Sequence, residues 1–190
     1  MAKTKLSLFG SRGLQVKKDQ KALNLAGAKL KVDGKFGPKT QAAALEFQKE
    51  HGLYKDGVIG PITRYELMFY KYPHFKKEEF KCNCGGKYCN GYPVKVSEGL
   101  LILLEKIRKE CGNKSVHLNR GISCKKYNAT IKGAAKDSQH LYGTAADIYI
   151  SGISVKNLGN VCKKLNPKGG VGSNYDAHVH VDVRGVKARW

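Results

Sequence analysis

Over the first seventy residues the apolar positions fall at helical spacing in three short segments. Leu14, Val16, Ala22, Leu23 and Leu25 mark the first, Ala42, Ala43, Leu45 and Phe47 the second, and Tyr65, Leu67 and Met68 the third. The second and third segments follow the same polar punctuation. Asp33-Gly34-Lys35-Phe36-Gly37-Pro38-Lys39-Thr40 recurs 23 residues later as Asp56-Gly57-Val58-Ile59-Gly60-Pro61-Ile62-Thr63. Asp-Gly supplies a tight turn, and proline sits where the first turn of a helix tolerates it. The pattern predicts a small three-helix unit built on a repeat.

The helical pattern stops at Tyr70-Lys71-Tyr72-Pro73-His74, which predicts a boundary between a unit over 1–72 and a second over 73–190. In the second unit Ser97 can cap a helix whose apolar face is Leu100, Leu101, Leu103, Leu104 and Ile107. Short strand-like runs follow at Val116–Leu118, Ala146–Ile150 and His178–Val183. One helix followed by scattered strands and long loops predicts an α+β domain.

Charge narrows the range of partners. The formal net charge is +20, with 14 Lys+Arg against 6 Asp+Glu in residues 1–72 and 21 against 9 in 73–190. A field of that size attracts polyanions, including anionic wall polymers. Lysine greatly outnumbers arginine, and aromatic-interleaved arginine clusters are lacking, so no specific nucleic-acid partner is expected. No apolar run is long enough to span a bilayer, and Met1–Phe9 has lysines without the apolar stretch of a signal peptide. A monomer is expected.

Six cysteines are too few for a disulfide scaffold of this length. Three crowd together in Cys82-Asn83-Cys84-Gly85-Gly86-Lys87-Tyr88-Cys89, as a disulfide, a second metal site or reduced thiols, while Cys111, Cys124 and Cys162 are dispersed.

The candidate chemistry lies in two separate stretches. Ser138-Gln139-His140-Leu141-Tyr142-Gly143-Thr144-Ala145-Ala146-Asp147 offers a histidine and a carboxylate, and His178-Val179-His180-Val181-Asp182 offers two histidines. Three nitrogen or carboxylate ligands, with a fourth position left for water, are the pattern of a catalytic zinc site. On an extended strand His178, His180 and Asp182 share one face, with Val179 and Val181 on the other. Asp182 reads as a support to the site. Asp147 leads into Ile148-Tyr149-Ile150, a strand that would hold it rigidly.

Two resemblances carry these readings further. The run from Leu14 through Leu67, with the two Asp-Gly-x-x-Gly-Pro-x-Thr elements and Glu46-Phe47-Gln48 between them, resembles the three-helix peptidoglycan-binding domain of cell-wall hydrolases. Residues 74–190 resemble the zinc D-Ala-D-Ala carboxypeptidases and endolysin peptidases (M15-like, hedgehog/DD-peptidase fold). Ser138, His140, Gly143, Ala145 and Asp147 fall on the family's first motif, and His178 and His180 on its His-x-His. The resemblance implies a central antiparallel sheet and Zn2+ held by His140, Asp147 and His180, with His178 beside the reacting water.

There are two departures from the family pattern. Relatives carry Ser-Gly-Tyr-Arg ahead of the first motif, where this chain has Arg120-Gly121-Ile122-Ser123. Arg120 is left to take the substrate-holding role by a different approach, which tilts the reading toward an endopeptidase. Relatives often place an acidic residue where Ala177 stands, leaving Asp176 or His178 as general base. The expectation is a zinc peptidase acting on bacterial peptidoglycan, with Arg120 and Ser138 orienting the peptide. Alternatives are a strict D-Ala-D-Ala carboxypeptidase and a non-catalytic zinc-containing wall-binding protein. By family analogy, the protein would be made in the cytoplasm and reach the wall as phage lysins do, or be secreted behind a leader missing here.

Overall fold

A computed structural model describes residues 6–190 and divides the chain into two compact units that meet between Pro73 and His74. The first five residues, whose lysines entered the reading of the N-terminus, lie outside the described residues.

In the N-terminal unit three helices, α1 (Leu14–Leu25), α2 (Pro38–Glu50) and α3 (Pro61–Phe69), enclose Val16, Leu23, Phe36, Phe47, Ile59 and Leu67. Pro38 and Pro61 open their helices, as the repeat predicts. Each turn of the repeat closes over a buried glutamine from the helix before it. Gln20 Nε2 donates to Asp33 Oδ1, the Lys35 carbonyl and Thr40 Oγ1, while its Oε1 accepts from Gly34 N. Gln48 repeats the arrangement with Asp56, Val58, Thr63 and Gly57. Gly34 and Gly57 have φ of 77° and 68°, where a side chain is strained. Arg64 on α3 also grips the buried Asp19 on α1 through two bonds of 2.8 Å. Polar groups here are therefore paired, and the repeat is a device for burying a glutamine at no loss of hydrogen bonds.

The C-terminal unit is α+β. Its helices are α4 (Glu98–Glu110), α5 (Lys125–Thr130) and α6 (Val155–Leu165). Its strands are β1 (His117–Arg120), β2 (Ala145–Tyr149), β3 (Gly170–Gly172), β4 (Val179–Asp182) and β5 (Ala188–Arg189), in the sheet order β1-β2-β4-β3-β5. Neighbours are antiparallel except β3 and β5, so the expected antiparallel sheet ends in one parallel pair. Leu100, Leu101, Leu104 and Ile107 of α4 are fully buried, and α4 packs against α6.

Two local features aim the sheet at the site. The β1–β2 register slips between Leu118 and Arg120, bringing Arg120 opposite Asp147. Such a bulge turns a side chain in a new direction at little cost to the rest of the ladder. Gly143 has φ of 69°, and a Cβ there would strike the Lys95 carbonyl, so the turn between His140 and Asp147 requires glycine.

Candidate metal centre and its cavity

β2 and β4 are adjacent, and their register sets Asp147 directly opposite His180. His140 comes from the short 3-10 turn Gln139–Tyr142 that precedes β2. The three side chains meet: His180 Nδ1 lies 2.8 Å from Asp147 Oδ1, His140 Nε2 lies 3.2 Å from the same oxygen, and the two nitrogens are 3.3 Å apart. All three residues are buried. Ligands about 2.0–2.1 Å from a tetrahedral ion stand about 3.3 Å from one another, so the donor atoms are at metal-binding spacing.

The far nitrogen of each imidazole is occupied. His140 Nδ1 donates to the Gly121 carbonyl at 2.6 Å, which leaves the Nε2 lone pair directed at the site. His180 Nε2 donates to Asp182 Oδ2 at 3.2 Å, leaving Nδ1 as the donor atom. Such outer bonds fix tautomer and ring orientation at metal centres. Asp182 is fully buried and takes further bonds from Gly170 N, Arg184 N and the Arg184 guanidinium, which reaches both carboxylate oxygens. Gly170 is itself required there, since a Cβ would collide with that carboxylate.

The electrostatics suit a cation. Burial pushes the His140 imidazole below its usual pKa despite the pull of Asp147, which keeps its lone pair free at neutral pH. Burial acts on His180 too, but Asp147 and Asp182 outweigh it and raise that imidazole. Asp147 resists its own burial and stays well below the usual carboxylate range, because the His140 and His180 imidazoles lie against it. The cluster therefore favours positive charge between Asp147 and His180, and its N, N, O donor set fits zinc.

The trio opens into a cavity of about 590 Å³. Arg120, Ser138 and His178 line it as well, so the structure gathers six of the seven residues singled out in the sequence. Asp176 is exposed and is not part of the lining. His178 stands one position before β4, where the sequence predicted it inside the strand, and its ring stacks on Tyr175 at 4.4 Å. Every residue of β4 is buried, because the face opposite Val179 and Val181 carries the metal centre and its support.

Arg120 Nε donates to Ser123 Oγ at 3.0 Å and its Nη2 to Asn128 Oδ1 at 2.7 Å. The exchanged serine and arginine are thus bonded to each other, and the guanidinium still reaches the cavity. Burial lowers the Arg120 pKa, with Asp147 opposing. Asn128, Tyr175 and Arg184 escaped the sequence reading. Asn128 and Tyr175 carry no motif, and Arg184 is recognisable only through its spacing two residues after Asp182. Trp190 closes one side, with its ring centroid 5.2 Å from that of His180 and its Nε1 donating to Tyr175 OH at 2.8 Å.

The fold and the histidine–aspartate cluster are those of a candidate metal-binding domain, and comparison with known proteins gives its family. Residues 73–182 match the peptidase M15 family, and the chain belongs to that family. Residues 12–67 match the peptidoglycan binding domain family. The chain is 32% identical over 131 residues to the zinc D-Ala-D-Ala carboxypeptidase of Streptomyces albus G, covering 64% of this chain and 51% of that one. It is 34% identical over 74 residues to the N-acetylmuramoyl-L-alanine amidase CwlM of Mycobacterium tuberculosis, covering 36% of this chain and 18% of that one. A solved peptidoglycan-binding protein from Clostridioides difficile shares 42% identity, covering 35% of this chain and 42% of that one, with a TM-score of 0.34. The chain spans about half the length of the carboxypeptidase and less of the amidase.

Proposed function

We propose that this protein is a zinc-dependent peptidase that hydrolyses an amide bond in the stem peptide or cross-link of bacterial peptidoglycan. The observation that carries this reading is the convergence of His140 Nε2, Asp147 Oδ1 and His180 Nδ1 at the edge of an open cavity, with both far nitrogens occupied. When bound by these three residues, zinc supplies Lewis acidity that activates water near neutral pH and polarises an amide carbonyl.

The chain's own residues do the rest. His178 lines the cavity, takes the proton of the attacking water and passes it to the departing amine nitrogen. Asp176, the other candidate base, is exposed and lies outside the cavity lining. Arg120 and Ser138 orient the peptide and donate to oxygen as charge develops there. Ser123 and Asn128 hold the Arg120 fork in place. The N-terminal unit, over about residues 1–72, tethers the catalytic unit to an insoluble wall and raises its effective concentration there. The net charge of +20 adds attraction to anionic wall polymers.

Two donors of Arg120 are committed to Ser123 and Asn128, which weakens bidentate capture of a free carboxylate and favours an endopeptidase. A D,D-carboxypeptidase is the second reading, favoured by the similarity to the Streptomyces albus G enzyme. Mass spectrometry of purified peptidoglycan digested with wild type and with His180→Ala tests both. New amino termini within the stem or cross-link are expected from wild type alone. Free D-Ala as the sole product would select the second reading, and equal activity in His180→Ala would overturn the metal assignment.

A further inference from the structure

A second cluster of metal-binding side chains lies apart from the histidine site. Cys82, Cys84 and Cys89 from one loop meet Cys124, which is 35 residues beyond Cys89 in the chain. Their four sulfurs all lie within 4.8 Å of one another, and Cys84 Sγ is 3.5 Å from Cys89 Sγ. Four thiolates about 2.3 Å from a tetrahedral zinc stand about 3.8 Å apart, so small inward movements complete the site. We propose that Cys82, Cys84, Cys89 and Cys124 form a structural zinc site.

Backbone N–H donors are directed at three of the sulfurs: Cys124 N at Cys82 Sγ, Gly91 N at Cys89 Sγ and Tyr127 N at Cys124 Sγ, each at 3.4 Å. Donors of this kind spread the negative charge of a four-thiolate centre, as outer-shell bonds do at other metal sites. Cys82, Cys84 and Cys124 are buried, with Tyr88 and Tyr127 packed over them. The chain reverses at Gly85 and Gly86, with φ of 60° and 87°, and Lys87 N closes the turn on the Cys84 carbonyl at 3.0 Å. That reversal lets three cysteines within eight residues face one point. All six cysteines are free thiols in the structure.

The position gives the site a purpose. Cys124 is the N-cap residue of α5, which carries Asn128, the partner of Arg120. On the other side of the staple, Ile122 N bonds the Phe80 carbonyl at 2.9 Å, and Gly121 is pressed against Phe80 so closely that a Cβ would clash. Gly121 also accepts the Nδ1 proton of His140. An ion at the four cysteines therefore ties the 82–89 loop to the segment that aims both Arg120 and His140. Binding releases the thiol protons, and its free energy adds to that of folding. A four-cysteine set leaves no open position for water, which makes the site structural.

The test uses the full chain under reducing conditions. Wild type is expected to hold two zinc ions per chain. Refilled with cobalt, it should show the intense ultraviolet thiolate-to-cobalt charge-transfer band of a tetrahedral sulfur centre. His180→Ala should keep that band and one ion, whereas Cys84→Ser and Cys124→Ser should each lose the band. Should these variants not fold, the cobalt titration of reduced wild type still decides. A wild type with no thiolate band, or with one ion that disappears in His180→Ala, overturns the proposal and leaves the catalytic reading intact. A band retained when His180→Ala leaves activity unchanged overturns the catalytic reading alone.

Discussion

His180 donates its Nε2 proton to Asp182 at 3.2 Å, and that bond decides which nitrogen of His180 faces Asp147 and His140. Asp182 is fully buried, held below the usual carboxylate range against its own burial by His180 and Arg184. Its role is to hold the ring, and it does not enter the donor set. Asp182→Asn should therefore lower zinc affinity about 10–100-fold. Competition with a chromogenic chelator measures this, and affinity equal to wild type would show that Asp182 does not orient the ring.

Arg120 is bonded to two different oxygens, on Ser123 and Asn128, through two different nitrogens. A lysine ammonium cannot span both and still present a planar face to substrate. Arg120→Lys should reduce kcat/KM on muropeptides about 100-fold or more, with zinc content unchanged. Unaltered kinetics would remove Arg120 from the peptide-holding role.

Gln48 supports the second turn of the N-terminal repeat through four hydrogen bonds. Gln48→Leu leaves Gly57 N without its partner and should cost about 1–3 kcal/mol of stability in that unit. Sedimentation with insoluble peptidoglycan should decline, while hydrolysis of soluble muropeptides stays near the wild-type rate. A parallel fall in both activities would argue against a tether.

Cys162 lies fully buried in α6, and burial pushes its thiol up to about 12, with Cys111 nearby adding to the shift. The folded state keeps a proton that the unfolded chain releases above about 9, so stability is complete below that value. It should then fall as pH climbs toward about 12. Thermal melts across this range should show the decline, and Cys162→Ala should flatten it whatever its effect at neutral pH. An unchanged slope would place the alkaline sensitivity elsewhere.

The repeat, the three helices and the α4 face were legible because each depends on near neighbours in the chain. Asp-Gly turns, N1 prolines and 3.6-residue spacing are local physics. The strands were legible as positions only approximately: β1 runs to Arg120, past the predicted end at Leu118, and β4 begins at Val179. α6 was missed although Val155, Leu158, Val161, Cys162 and Leu165 fall at helical spacing behind the capping Ser154, so that helix was also legible from local pattern. Its apolar face packs against α4 and the sheet.

The sequence by itself determined the candidate donors His140, Asp147 and His180, since motif and residue type name them wherever they end up. It also supplied Arg120 and the grouping of three cysteines. Only the tertiary structure could decide between Asp176 and His178 as the group facing the cavity, because a bend in the chain sets that choice. Only it could join Arg120 to Ser123 and Asn128, or bring Cys124 to Cys82, Cys84 and Cys89. Ligand identity is a property of side chains, but convergence on one point comes from β-sheet register, a bulge and two glycine turns that bring distant residues together.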